Sequence, residues 1–489
     1  MFHILHALLK QWGGFEDIPS LTTSKWKKNF NELVSLPAVN TRNIIFVWVV
    51  FLILRISIYI TLCEFVRDVW LFYKRGFIWF WGVRVHLLRA TQPRISSALV
   101  AVTLLFSLIP NLSGENSVIS YFLLSATLTL ITSVALLTDK NKKQLNLSLA
   151  VFSTFFFLVY LYVTTSNIIT FIAVYEAFLL PSAYLVYQAS PNKRSLRSTF
   201  YFLVWTQAGS LLVVCGLTGV AWVNQTTSFE ALTHCPTALA LLIFIGFGIK
   251  IPIFPFFFWL TKTHVEAISS FSVYLSGFLV KLALFGLIKV SIIFSDPTVF
   301  TVTTISAITS IVVATIGFYY QTDYKKIIAY ATIQEMNILL LLTVLLYTAD
   351  FRPTAALLAV HTALSAIFFS LADMIYKRYK TRALKNIKAL LVASPVLYTL
   401  MLISLIIFKG IPFSSKFAIE FSLYAAAYNL SVYTFTLLLI ILVFIGNTII
   451  SIQHFKIAFG SSPQTVSDLQ AKEILTLLIP ICTLTLVVV

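Results

Sequence analysis

The sequence predicts an all-α polytopic membrane protein with about 14 transmembrane helices. The 489 residues are 59% hydrophobic and only 11% charged, and their mean hydropathy is +0.91. Soluble domains carry roughly 25% charged residues. Apolar runs of about 20 residues, the length that crosses the hydrocarbon core of a bilayer, recur along the chain. These observations favour one helical membrane domain over several soluble ones.

About fourteen apolar runs are long enough to cross the bilayer at a rise of roughly 1.5 Å per residue. Numbered in chain order, these predicted spans cover 44–62, 95–110, 117–138, 145–163, 165–188, 198–222, 237–260, 267–294, 299–320, 323–348, 353–376, 390–428, 432–453 and 473–489. The twelfth run is too long for one straight helix. Because Gly410 and Pro412 lie inside it, we expect two half-helices with a break.

Spans seven and twelve indicate an internal repeat. Each carries a charged residue close to a proline-containing break, and they lie five spans apart. Because five is odd, two five-helix units must have opposite orientations in the membrane, as in many transporters. We therefore expect an N-terminal extension on the membrane surface (1–43), three spans with a basic loop (44–144), a first repeat (145–294), a second, inverted repeat (299–453) and a last span (473–489).

The net charge of +17 and the pI near 9.6 are explained by where the basic residues lie. Most Lys and Arg lie in the connections after odd-numbered spans, whereas those after even-numbered spans contain only Arg352. By the positive-inside rule, the odd connections face the cytoplasm or matrix, and both termini face the other side. The basic charge is thus explained without nucleic acid, and we expect lipids as partners.

Motifs for redox, nucleotide or hydrolase chemistry are missing from the sequence. The four cysteines, Cys63, Cys215, Cys235 and Cys482, are far apart and have no metal-ligand spacing. No P-loop, GxGxxG or GxSxG motif occurs. We expect no cofactor in this chain, so any chemistry must come from embedded polar residues. The first residues include several acidic ones and no cleavage signal, which favours a prokaryotic or organelle-encoded protein.

Four ionisable residues lie near the middle of predicted spans, where a charge costs several kcal/mol. They are Glu176, Lys250, Lys281 and Glu420. Burial disfavours the charged form of either residue type, and a nearby opposite charge reverses that preference. Movement of one partner of an ion pair can therefore load or release a proton. A buried salt bridge, or a residue that faces another subunit, remains the structural alternative for each.

Other polar residues are weaker candidates. His361 in span eleven and Glu335 in span ten could relay protons, or could bond to a neighbouring helix. His264 and Glu266 could guard a proton entry path, or could cap span eight. We predict structural roles for three further residues. Asp373 and Lys289 lie nearer the ends of their spans and should reach the membrane interface, and Asp323 should cap the start of span ten.

Three segments resemble signatures of the antiporter-like membrane subunits of respiratory complex I (NADH:ubiquinone oxidoreductase). These are WLTKTHVEA followed by LVKLALFGLIK, then TDYKKIIAYATIQEMN, then HTALSAIFFSLADMIYKRYKTR. The resemblance covers roughly residues 145 to 455. It implies a fourteen-helix subunit in the mitochondrial inner membrane, with broken seventh and twelfth helices, that translocates protons while quinone is reduced elsewhere in the complex.

The resemblance also implies roles for individual residues. The family's essential charged residues match Glu176, Lys250, Lys281 and Glu420, and a family histidine of the central axis matches His361. The family usually has SHM where this chain has Gln334, Glu335 and Met336. The segment 1–43 and the stretch from Arg67 to Arg94 are unlike the family and suggest contacts with additional subunits.

Our hypothesis is that Glu176 and Lys250 form a switching pair, Lys281 passes protons along the membrane axis, and Glu420 exchanges them with one aqueous side. It predicts a roughly continuous polar line at mid-depth that includes His361. We expect Glu335, partnered by Lys281 or His361, to act as a relay. Glu335→Gln should then impair pumping, and Glu335→His should restore much of it. A stand-alone cation/proton antiporter and a purely structural subunit remain alternatives.

Overall fold

The structure is a computed structural model that describes residues 117–137, 142–188, 193–348, 350–412, 414–429, 433–460 and 466–486. Every regular element within these ranges is a helix. Eight of the described helices are long and apolar enough to cross a membrane. The predicted all-α multi-span fold is therefore confirmed. The extension 1–43, spans one and two and the basic loop 63–94 lie outside the described residues, so the total of about 14 stays a prediction.

The described spans fall into two groups, unbroken and interrupted. The unbroken spans are three (Ser117–Leu136), four (Lys142–Thr164), six (Lys193–Val223), nine (Pro297–Tyr320), ten (Tyr324–Leu345), eleven (Arg352–Tyr379), thirteen (Tyr433–Ala458) and fourteen (Ala471–Leu486). The interrupted spans are five (Ile168–Ala177 and Leu179–Gln188), seven (Thr237–Lys250 and Phe258–Glu266), eight (Ser269–Tyr274, a π-helix Leu275–Leu279, and Lys281–Lys289) and twelve (Pro395–Phe408 and Ser415–Asn429, after the short helix Leu390–Ala393). Three 3₁₀ helices lie in connections: Phe229–Ala231, Ser291–Ser295 and Leu384–Asn386.

Spans seven and twelve are broken where the sequence predicts. In span seven the helix ends at Lys250, just before Pro252, because proline supplies no backbone donor to continue the ladder. In span twelve the first half ends at Phe408, and Gly410 adopts a left-handed conformation with φ +62° that glycine tolerates without strain. Both breaks free backbone groups inside the protein.

The two predicted repeats share a local design at corresponding helix starts. The side chain of Asn167 accepts hydrogen bonds from the backbone N–H groups at the start of span five, and Asp323 does the same at span ten. Each capping residue also forms an isolated bridge to the connection before the next broken span, Asn167 to Ser228 and Asp323 to Ala383. The predicted cap at Asp323 is confirmed, and the shared design supports two five-helix repeats.

Spans eight, ten and eleven are buried along most of their length by the surrounding helices. Their polar residues therefore face protein and not lipid. Two of the residues with predicted structural roles lie nearer the ends of spans. Asp373 forms an ion pair of 2.6 Å with Lys377, and the Lys289 ammonium donates to the backbone carbonyl of Thr165. These local bonds agree with structural roles.

Candidate functional site

Glu176 directly follows Tyr175 in the chain, and Lys250, its predicted switching partner, lies over the Tyr175 ring. Glu176 is near the end of the first half of span five. Its Oε2 lies 3.4 Å from the side-chain nitrogen of Gln207, and its Oε1 has no hydrogen-bond partner among the described residues. The Lys250 Nζ lies 3.9 Å from the centre of the Tyr175 ring. No ion pair within 4.0 Å joins these two described residues, although the charge of Glu176 acts on Lys250. Their switching role stays a prediction.

Lys281 starts the second half of span eight, one residue beyond the end of the π-helix. Its side chain is fully buried, and its Nζ donates to the backbone carbonyls of Ser276 at 2.8 Å and Gly277 at 2.9 Å. A π-helix interrupts the regular backbone ladder and often marks a functional site. Here the π-helix supplies the acceptors that let a lysine stay buried without a direct ion pair.

A chain of hydroxyl groups connects span eight to His361. The Ser276 Oγ lies 2.6 Å from the Thr332 Oγ1 and 3.2 Å from the Ser365 Oγ, which in turn lies 3.1 Å from the His361 Nε2. Hydroxyl groups both donate and accept, so such a chain can carry a proton when its members rotate. The chain joins spans eight, ten and eleven.

A small cavity lies beside this hydroxyl chain. It leaves about 10 Å³ for the centre of a water molecule, roughly the room that one water needs. Thr332, His361 and Ser365 supply polar groups to its wall, and Phe368 and Phe408 line it as well. The Nδ1 of His361 has no hydrogen-bond partner within the described ranges. A water in this cavity could exchange a proton with His361.

Glu335 forms a buried ion pair with Lys416, a residue that the sequence analysis missed. The Lys416 Nζ lies 2.7 Å from the Glu335 Oε1 and 3.5 Å from the Glu420 Oε1. The exposed fractions of these side chains are 0% for Lys416, 1% for Glu335 and 8% for Glu420. The expectation that Glu335 pairs with Lys281 or His361 is therefore wrong, because span twelve brings a closer ammonium to it.

The three residues Glu335, Lys416 and Glu420 are called the charge triad below. The Lys416 Nζ also donates to the carbonyl of Phe408 at 2.7 Å, an acceptor at the end of the first half of span twelve. The break in this span thus helps to hold the central lysine. The spacing of Lys416 and Glu420, four residues apart on one helix directly after the break, is the signal that could have revealed the lysine.

We predict that Gly410→Ala lowers both the stability and the activity of the protein. A Cβ at this position would lie 2.8 Å from the Glu420 Oε2, and a left-handed backbone costs a non-glycine residue about 1–2 kcal/mol. We expect a lower unfolding temperature and a displaced Glu420 carboxylate.

Gly460→Ala is the matched control for this variant. Gly460 also has a positive φ, +109°, but its added Cβ would come no nearer than 3.4 Å to the Lys388 side chain. The Gly460→Ala variant should be less stable, but it should keep proton transfer in the assembled protein. Normal proton transfer in Gly410→Ala would show that the position of Glu420 is unimportant.

His264 is buried at the end of the second half of span seven and stacks on Phe369, with ring centres 4.6 Å apart. Both of its ring nitrogens lack hydrogen-bond partners in the described part of the chain. The N-cap of span eight is Ile268, without a side-chain cap, so the alternative that His264 or Glu266 caps this span is wrong. A role for His264 in proton entry stays a prediction.

Apart from His264, the predicted site residues fall into three groups, in which Glu176 is half-buried and the others are buried. The groups are Glu176 with Lys250, Lys281 with the hydroxyl chain and His361, and the charge triad. No direct hydrogen bond links Lys250 to Lys281, so the predicted polar line is not continuous through side chains. The charge of Glu335 nevertheless acts on Lys281, and the charges of Lys281 and Lys416 both act on His361.

Among the described residues, no group of three or more His, Cys, Asp or Glu side chains could hold a metal ion. Cys215, Cys235 and Cys482 form no disulfide among the described residues, and Cys63 lies outside the described ranges. The arrangement instead provides groups that can take up and release protons. That this chain holds no cofactor stays an expectation.

The fold and the site define a helical membrane protein with buried charges in its spans. Residues 165–446 match the family described as NADH:quinone oxidoreductase/Mrp antiporter, transmembrane. This match covers more than half of the chain, and the chain belongs to that family.

Curated relatives carry a more specific name. "NADH-ubiquinone oxidoreductase chain 4" of Paramecium tetraurelia is 34% identical over 294 residues, which cover 58% of this chain and 60% of the relative. The protein of the same name from Chondrus crispus is 27% identical and covers 62% and 64%, respectively. The chain thus spans less than two thirds of the length of these relatives.

Solved structures share the fold. A chain of respiratory complex I from Thermus thermophilus is 21% identical and superposes with a TM-score of 0.70, covering 81% of this chain and 91% of that one. A chain of the Mrp complex from a Dietzia species is 16% identical, with a TM-score of 0.62 and coverage of 78% and 76%. At identities this low, the superpositions show that the fold is shared and show nothing more.

Proposed function

We propose that this chain is a proton-translocating subunit in the membrane arm of a respiratory complex I. In this proposal it couples the oxidation of NADH by ubiquinone to proton movement, while other subunits carry the redox chemistry. Its partners are neighbouring membrane-arm subunits and lipids, and its location is the mitochondrial inner membrane. The names of the relatives from Paramecium tetraurelia and Chondrus crispus support this assignment.

The observation that carries the proposal is the charge triad. A buried charge is costly, and a lysine between two carboxylates can be stabilised by either of them. When the Lys416 ammonium moves toward Glu420, Glu335 loses its counter-charge and takes up a proton. When the ammonium returns to its present position, 2.7 Å from the Glu335 Oε1, Glu335 releases that proton. One cycle moves one proton and leaves no bond changed.

The hydroxyl chain and its cavity provide a route for such a proton. His361 lies at one end of the chain, and the charges of Lys281 and Lys416 both act on it. A change in the charge triad therefore changes how readily His361 holds a proton. Glu176 and Lys250 would act in the same way in the first repeat, where the Lys250 ammonium lies over the ring of Tyr175.

A stand-alone cation/proton antiporter is the second candidate, because the fold is also similar to a chain of the Mrp complex. Purification from the native membrane separates the two functions. We expect the chain to migrate together with NADH dehydrogenase activity. A free chain that exchanges sodium for protons would overturn the proposal.

A structural subunit without proton transfer is the third candidate. Substitution of the buried charges distinguishes it, because a scaffold keeps pumping intact once assembly has been confirmed. The decisive variant is Lys250→Ala.

A further inference from the structure

His454 is a buried histidine in span thirteen that the route above does not use. Its Nδ1 lies 2.7 Å from the backbone oxygen of Ile450, and its Nε2 lies 3.1 Å from the hydroxyl oxygen of Tyr324. A carbonyl oxygen only accepts, so the proton of the neutral ring lies on Nδ1. The Nε2 then has a free electron pair and accepts the hydroxyl hydrogen of Tyr324. This nitrogen can take up a proton.

The Tyr324 hydroxyl has a second acceptor. The sulfur of Met401, in the first half of span twelve, lies 3.5 Å from the hydroxyl oxygen. A thioether is a weak acceptor, so the hydroxyl prefers the imidazole of His454 while that ring is neutral. When the imidazole is protonated, the hydroxyl can turn to the sulfur and keep a partner. Tyr324 therefore fits both protonation states of His454.

One aromatic ring, that of Phe368, lies close to both this pair and the cavity beside His361. Phe368 lines that cavity, and its ring centre lies 6.0 Å from that of His454. The Phe368 ring also packs edge-on against Phe408, another residue of the cavity wall. A rotation of one side chain could therefore open a path between a water beside His361 and the Nε2 of His454.

The pair lies on the basic side of the membrane domain. Tyr324 is the first residue of span ten, and the preceding residue, Asp323, bridges to Ala383 in the basic connection after span eleven. Thr332, which lines the cavity, lies eight residues further along the same helix, or about 12 Å at 1.5 Å per residue. The pair thus lies between the cavity and the basic face.

We propose that His454 and Tyr324 form a proton-exchange pair between the cavity beside His361 and the basic face of the protein. This inference rests on the proposed function. A hydronium on the basic side gives its proton to the Nε2 of His454, and the Tyr324 hydroxyl turns to Met401. Release of a proton from Nε2 to a water in the cavity restores the neutral ring and the hydrogen bond. One proton moves, and no other bond forms or breaks.

The test is His454→Gln in the assembled complex, reconstituted in lipid vesicles. A glutamine side chain can donate to the Ile450 carbonyl and accept from Tyr324, so it can replace a purely structural histidine, but it cannot carry the proton. We expect normal assembly and a fall of about 100-fold or more in proton transfer through this route, which lowers the total for the complex by the share of this subunit. The readout is the number of protons moved per NADH oxidised.

Lys281→Met is the companion variant that distinguishes a failure of the exchange pair from a failure of the proposed function. A lower ratio in Lys281→Met together with an unchanged ratio in His454→Gln would overturn the exchange pair and leave the proposed function standing. An unchanged ratio in both variants would overturn the proposed function and the exchange pair with it.

Met401→Leu covers the case in which His454→Gln does not assemble. The two side chains have similar volumes, so this change is mild for packing, but it removes the second acceptor of Tyr324. We expect proton transfer to slow by a few-fold, because the hydroxyl has no partner while His454 is protonated. An unchanged rate would refute the proposed exchange.

Discussion

Replacement of Lys416 by methionine should destabilise the protein by about 3–5 kcal/mol, the cost of removing one partner from a buried ion pair. Lys416 is fully buried, and its ammonium lies 2.7 Å from Glu335 and 3.5 Å from Glu420. Without it, the Glu335 and Glu420 carboxylates both lose the ammonium with which they form ion pairs. We expect less assembled protein and a lower temperature of thermal unfolding, both of which can be measured in detergent.

Two companion variants sharpen this prediction. Lys409→Met changes a lysine of the same span that has no ion pair among the described residues, so its effect should be small. The double variant Lys416→Met with Glu335→Gln should recover much of the stability, because fewer buried charges remain unpaired, but it should not recover proton transfer. If Lys416→Met were as stable as Lys409→Met, the ion pairs of the charge triad would have to be abandoned.

Replacement of Glu335 has the second largest expected effect, and the structure changes what we expect from it. From the sequence we expect Glu335→His to restore much of the proton transfer, because the family resemblance implies a histidine at this position. In the structure a histidine would put a neutral or positive ring beside the Lys416 ammonium, in place of a carboxylate oxygen at 2.7 Å. We now expect Glu335→His and Glu335→Gln to be impaired to a similar degree.

Glu335→Asp is the matched control, because it keeps the carboxylate and shortens the side chain by one methylene group. It should retain more proton transfer than either Glu335→Gln or Glu335→His in assembled complexes. The measurement is the number of protons moved per NADH oxidised. A Glu335→His variant that pumps like the unchanged protein would show that a proton carrier suffices at this position and that the ion pair with Lys416 is dispensable.

Bilayer thickness explains why much of the fold could be predicted. A span must be long and apolar, and a proline or glycine inside it tends to interrupt the helix. The breaks at Pro252 and Gly410 could therefore be predicted from the sequence. The depth of a charged residue in the membrane follows from its position along the span. Glu176, Lys250 and Lys281 were therefore found before their surroundings were known.

Contacts between distant spans could not be predicted in the same way. Glu335 and Lys416 are 81 residues apart, and Tyr324 and His454 are 130 apart. A single sequence does not indicate which faces of the helices that carry these residues pack together. The hydroxyl chain is equally hidden, because serine and threonine occur on membrane helices wherever they can bond to their own backbone, as Thr332 also does to Ile328.

The central claim is that protons pass through the buried charges, and Lys250→Ala tests it most directly. The assembled complex is reconstituted in lipid vesicles, and the protons moved per NADH oxidised are counted. Lys262→Ala is the matched control, since its ammonium also lies over a tyrosine ring, that of Tyr201, at 4.5 Å, compared with 3.9 Å for Lys250 over Tyr175. We predict a lower ratio for Lys250→Ala and an unchanged ratio for Lys262→Ala. An unchanged ratio in a fully assembled Lys250→Ala complex would contradict the claim and leave this chain a structural subunit.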